Sequence, residues 1–100
     1  MADRTVWGVI AKDAEILSGT GFDIDHTNDG VYTIFFDEPF AVLPSVTATQ
    51  IYPGDVVSQG GNPLDNVVII GITTDKFRIK TGDAAGNTTN RSFTFLAIGI

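Results

Sequence analysis

No stretch of eleven residues in this chain carries apolar side chains at helical spacing. Short runs alternate at period two instead, with turn signals between them. Two of these runs are dense in phenylalanine: residues 31–44 read VYTIFFDEPFAVLP, and residues 91–100 read RSFTFLAIGI. Such runs fold as strands that pair antiparallel through short connections and turn one face to a core. The fold class expected is all-β, an antiparallel β-sandwich of six to eight strands. One hundred residues are enough for one such core, so residues 1–100 are read as a single domain.

Along the chain, strands are expected at residues 5–11, 15–18, 22–26 and 31–36, with glycines 19 and 21 marking a break. Asn28-Asp29-Gly30 has the composition of a tight hairpin turn. Pro39 and Pro44 remove backbone donors, so residues 37–44 form a corner, with Phe40 and Leu43 expected to plug the end of the core. Further strands are expected at 45–52, 67–73, 77–81 and 92–98, with Asp75-Lys76 as a tight turn. Residues 53–66 are the longest irregular stretch, and loops of that length in a compact domain serve a site or an interface or are mobile. Residues 82–91 form a second polar loop. Trp7, lying among Val6, Val9 and Ile10, is expected inside the sandwich.

Three strands depart from the pattern of one wet face. Val31, Thr33 and Phe35 oppose Tyr32, Ile34 and Phe36; Val68, Ile70 and Ile72 oppose Val67, Ile69 and Gly71; Thr94, Leu96 and Ile98 oppose Phe93, Phe95 and Ala97. With no helix to cover a second apolar face, the economical expectation is another copy of the chain around a symmetry axis. The alternative is that the sheets curl and bury these strands locally.

Charge narrows the partners. Six basic against twelve acidic side chains give −6, too few cations to neutralise a run of phosphates, so no nucleic acid is expected. The acidic balance opposes an anionic membrane surface, and no apolar run approaches the roughly 20 residues of a membrane helix, so no membrane insertion is expected. Without cysteine there is neither a disulfide nor thiol chemistry. No apolar segment follows Met1-Ala2-Asp3-Arg4, so no signal peptide is read in this chain. If the protein leaves the cell, it is expected to do so as part of a particle, after lysis, or by a leader lost from this chain, and a virion-associated or extracellular setting is the working expectation.

Catalysis is not expected. The single histidine, His26, sits near Asp25, Asp29 and Ser18, but a histidine beside a hairpin turn is ordinarily a solvated surface residue. Asp23 and Asp25 share a strand face, and Asp37-Glu38 adjoin at a corner, without a cleft in which two carboxyls face each other. The run DIDHTNDG lacks the frame of a calcium loop, and one histidine without cysteine makes no zinc site. No metal or cofactor is therefore expected. The loop at 82–91 does hold groups that pair with vicinal hydroxyls: Asp83, Asn87, Asn90 and Arg91. Tyr52, at the mouth of the long loop, is the nearest aromatic that could stack on a sugar ring. Alternatively, the loop is an ordinary solvated hairpin connection.

The stretch Tyr32-Thr33-Ile34-Phe35-Phe36, then Pro39-Phe40 and Pro44-Ser45-Val46, resembles the H-type lectin domain. So does Thr74-Asp75-Lys76-Phe77-Arg78-Ile79 followed by a polar loop and Phe93-Thr94-Phe95-Leu96-Ala97-Ile98-Gly99. Residues 16–22 before Gly30-Val31-Tyr32 look more like bacterial and phage modules that end tail-fibre or surface proteins. The resemblance implies a homotrimer that binds a galactose-type or N-acetylgalactosamine glycan at clefts between subunits. It also implies ring-stacking and charged residues in the loop before the last strand and in the strand preceding Phe77. At those positions this chain has Ala84, Ala85 and Gly86, and Ile70-Gly71 where an arginine is expected. The function expected is a non-enzymatic, lectin-like trimeric recognition module. In it Asp83, Asn87, Asn90, Arg91 and Tyr52 would hold the sugar, and loop 53–66 of a neighbouring subunit would wall the cleft. The alternative is a ligand-free trimerisation cap of a fibre or surface protein.

Overall fold

The structure, a computed structural model, describes residues 3–52 and 56–100. Eight strands succeed one another: β1 (Arg4–Ile10), β2 (Ile16–Gly19), β3 (Phe22–Asn28), β4 (Val31–Phe36), β5 (Ser45–Ile51), β6 (Asn66–Ile72), β7 (Lys76–Gly82) and β8 (Ser92–Gly99). They form two antiparallel four-stranded sheets, ordered β2-β1-β8-β5 and β3-β4-β7-β6. The described residues contain no helix. The all-β sandwich expected from the period-two runs is the fold.

The β3–β4 hairpin turns at Asp29-Gly30, with Asn28 opposite Val31. Gly30 has φ 69°, and a Cβ there would stand 2.4 Å from Thr88 and 2.8 Å from the Thr89 nitrogen. Glycine thus supplies the left-handed turn and also lets the 83–91 loop lie against the hairpin.

Between the sheets runs a chain of rings. Phe22 meets Phe95 edge-on at 5.0 Å, Phe95 meets Phe77 at 5.0 Å, and Phe77 leads through Phe36 to Phe40. The edge-to-face pairs among them add to the area the rings remove from water. Phe40 closes the core at the corner as expected. Leu43 does not: it is 62% exposed.

Trp7 corrects the expectation of a core tryptophan. It is 49% exposed, because the inward positions of β1 are Val6, Gly8 and Ile10. A Cβ on Gly8 would meet Phe22 at 2.5 Å and Phe95 at 2.8 Å, so the two rings occupy the space where a β1 side chain would stand. With Gly8 fixed inward, the pleat turns Trp7 out, onto the same row as Leu96 of β8 and Thr47 of β5.

The local-burial alternative for the double-sided strands fails as well. Val68 and Ile70 of β6, Phe35 of β4, and Leu96 and Ile98 of β8 all stay exposed on the outer faces. The outer face of β1-β8-β5 reads Thr5, Ile98, Ser45; Trp7, Leu96, Thr47; and Val9, Thr94, Thr49. None of those nine side chains is charged.

The strand directions gather the connections 11–15, 29–30, 56–65 and 83–91 at one end of the sandwich. The corner and the 73–75 turn lie at the other.

Candidate functional site

At the loop end, β5 projects Gln50 inward on the same side as Val46 and Ala48. A polar side chain at a core position needs partners. Gln50 Nε2 donates to the Asn66 carbonyl (2.8 Å) and the Gly82 carbonyl (2.9 Å), stapling β5 to the opposite sheet. Its Oε1 accepts from Arg91 at 3.5 Å.

Arg91 enters β8 from the polar loop and pairs with Asp65 at 3.3 Å, both side chains largely covered. The guanidinium also lies 5.9 Å from the centre of the Tyr52 ring. Tyr52 itself is 47% exposed, resting against Gly60 and Gly61. A Cβ on Gly60 would stand 2.5 Å from the ring and one on Gly61 3.2 Å from its base, so the pair is the seat on which Tyr52 lies. Tyr52, Arg91, Asp65 and Asp83 together line an open hollow of about 410 Å³, completed by Gly61, Asn62, Ala84 and Ala85.

Asp83 organises the loop above it. Its carboxylate accepts the Asn87 and Ala85 backbone N–H groups, each at 2.9 Å, and the Asn87 amide at 3.2 Å. These donors, the Asn87 backbone N–H foremost, hold the carboxyl below the usual carboxylate range.

Asn90 does not line that hollow, although it shares a smaller one of about 290 Å³ with Tyr52 and Arg91. Its Oδ1 accepts the Gly30 N–H (2.6 Å) and faces His26 Nε2 at 2.9 Å, so the imidazole donates from Nε2. Its amide nitrogen reaches Asp29 at 3.4 Å. His26 lies flat on Tyr32, the ring centres 4.3 Å apart. The expectation of a solvated histidine is corrected: β3 aims the ring at Tyr32, and the 83–91 loop brings Asn90 to its edge.

Of the five residues expected from the sequence, the structure brings Tyr52, Asp83 and Arg91 to one hollow. It commits Asn87 to the Asp83 turn and Asn90 to the hairpin. Asp65 and Gln50 were missed. Gln50 left a signal, an amide on the inward register of a strand; Asp65 left none, because only the fold brings the long loop to Arg91. Within the chain, Gly61, Asn62 and Asp65 of the long loop wall the hollow. Residues 53–55 of that loop lie outside the described residues. No cluster of three metal-ligating side chains occurs among the described residues, and no helix there is long and apolar enough to cross a membrane.

Comparison with known protein families, with curated proteins and with solved structures finds no match to this chain.

Tyr32 ties the site to the core. Fully buried, it donates its hydroxyl to the Lys12 carbonyl at 2.6 Å, and burial pushes its phenol above the ordinary value. A phenol that ionises less readily in the fold than in the unfolded chain adds stability that is complete below about pH 10 and disappears as pH climbs through the raised value. Alkaline unfolding followed by circular dichroism should therefore steepen above about pH 10 in the wild type. In Tyr32→Phe that limb should flatten, while neutral-pH stability falls by about 1 kcal/mol for the lost hydrogen bond.

Proposed function

We propose that the chain is a non-enzymatic recognition module that assembles as a homotrimer and binds a galactose-type glycan at its loop end. The observation that carries the reading is the Tyr52 hollow: a half-exposed aromatic ring beside a guanidinium and two carboxylates, open to solvent. Sugars are held by that combination, an apolar ring against C–H groups and charged or amide groups on vicinal hydroxyls. Tyr52, Arg91, Asp83 and Asp65 are the contacts proposed. Asn87 and Asn90 contribute by fixing the loop.

Assembly is supported by the uncharged outer face of β1-β8-β5, where Trp7 and Leu96 form the ridge. The number three comes from the lectin resemblance. The absence of catalysis is supported by His26, whose ring face and Nε2 are both engaged by neighbours.

Tyr52→Ala removes a half-exposed ring and keeps the Arg91–Asp65 pair. It should weaken binding to a galactose-terminated glycan by tenfold or more, about 1.4 kcal/mol, measured by calorimetry, with unfolding and native mass unchanged. Equal affinity in the variant would remove Tyr52 from the site. The second reading, a ligand-free trimerisation cap, rests on the uncharged face alone. It is preferred if the native mass is three chains and no glycan on an array is retained.

A further inference from the structure

The outer face of the other sheet carries a different pattern. Across β3, β4 and β7 the paired rows read Asp23, Phe35, Lys76 and then Asp25, Thr33, Arg78. One side of β4 is thus acidic and the other basic, with Phe35 half-exposed between them. Lys80 extends the basic side, so three of the chain's six basic residues lie on one face of one strand. Neither sign forms an ion pair at home, although the Asp75 carboxylate lies close enough to Lys76 to feel its charge. Among the described residues the only ion pair is Arg91–Asp65, at the far hollow. The Arg78 Nε instead donates to Thr33 at 2.8 Å, and the Lys76 ammonium sits 5.6 Å over the Phe35 ring, so both cations lean across β4.

From this pattern we infer that the β3-β4-β7 face pairs with the same face of a second copy about a two-fold axis that runs along β4. An axis along the strands carries each strand to the opposite side of β4 and preserves its level. Lys76 then stands over Asp23 of the partner subunit, Arg78 over Asp25 of the partner subunit, and Phe35 over Phe35 of the partner subunit. All four charged contacts follow from the hydrogen-bond register alone. The other axes fail on charge. One across the strands, or one along β7, sets β7 on β7, with cation on cation. One along the seam between β4 and β7 sets Asp23 and Asp25 at the level of Thr73, just past β6, and Gly71 of β6, where no cation stands. A long cation opposite a short acid also spans the about 10 Å between packed sheets, which two aspartates could not.

Three strands give a small contact, on the order of 700 Å² in total, so the pairing is weak and depends on its charges. It uses a different sheet from the proposed trimer interface and does not rest on it.

The test uses the full chain carrying Trp7→Asp and Leu96→Asp, which removes association through the β1-β8-β5 face. Sedimentation at up to about 1 mM protein and low salt should give two chains, falling to one in 1 M salt, where the screening length is about 3 Å. In this background Lys76→Glu with Arg78→Glu should be monomeric, as should Asp23→Lys with Asp25→Lys. An equimolar mixture of the two should restore the two-chain species. All four residues are exposed, and circular dichroism checks that each variant folds. A single-chain mass for the parent at every concentration overturns the inference, as does pairing that survives both charge reversals or a mixture that fails to pair. None of these outcomes bears on the trimer, which is read from the wild-type mass.

Discussion

Phe95→Ala is expected to lower stability by about 3–5 kcal/mol, a large share of the 5–15 kcal/mol available to a domain of this size. Phe95 is buried between Phe22 and Phe77, each ring centre 5.0 Å away. Its neighbour on β1 is Gly8, which has no side chain to fall into the cavity. The loss therefore includes the emptied volume as well as the transferred area. Gly8→Ala alone should also destabilise, by about 1–3 kcal/mol, because its Cβ would enter the space of Phe22 and Phe95. In the double variant the clash with Phe95 is gone, so the two losses should fall short of their sum. Urea midpoints of the four proteins give the coupling. Strict additivity would mean that Gly8 does not set the position of Phe95.

The same pair explains where the sequence was readable. Alternation along 31–36 and 92–98 marks Tyr32, Ile34, Phe36, Phe93, Phe95 and Ala97 as one face each, and these are core residues. Asp29-Gly30 marks the hairpin because a two-residue turn needs a positive φ that glycine provides. Trp7 was misread because hydrophobicity alone assigns it inward. Which parity of β1 faces the core is decided by Gly8, and a glycine shows its role only once the rings packed on it are known. Leu43 failed likewise: an apolar residue in a proline-bounded corner has no period to fix its direction.

The loop end was legible as chemistry but not as geometry. Residue types in 82–91 name groups able to hold hydroxyls, yet the sequence cannot tell a group offered to solvent from one used by the chain itself. Asp83 and Asn87 lie four residues apart and close their own turn, a local event that an Asp followed by Gly and Asn suggests. Asn90 reaches residues 60 and 64 positions away, which no local pattern announces.

That distinction makes Asn90→Ala the most informative loop variant. The change should lower stability by about 2–3 kcal/mol and the midpoint of thermal unfolding by about 10–20 °C. The Gly30 N–H is buried and would lose its acceptor, and the His26 Nε2–H would lose its partner at the same time. Asn87→Ala is the comparison. Asn87 is exposed, and the change deletes one 3.2 Å side-chain bond to Asp83 while keeping the backbone donor, so it should change stability by less than about 1 kcal/mol. Asn90→Asp separates the acceptor from the amide. It keeps an oxygen for Gly30 and His26 but places a second carboxylate near Asp29, whose Oδ1 lies 3.4 Å from the Asn90 amide nitrogen. Like charges at that distance oppose each other, so this variant should lie between wild type and Asn90→Ala and regain stability with added salt. If Asn90→Ala were instead as stable as Asn87→Ala, the side chain would not be what fastens loop 83–91 to the hairpin, and its amide would be free to meet a ligand.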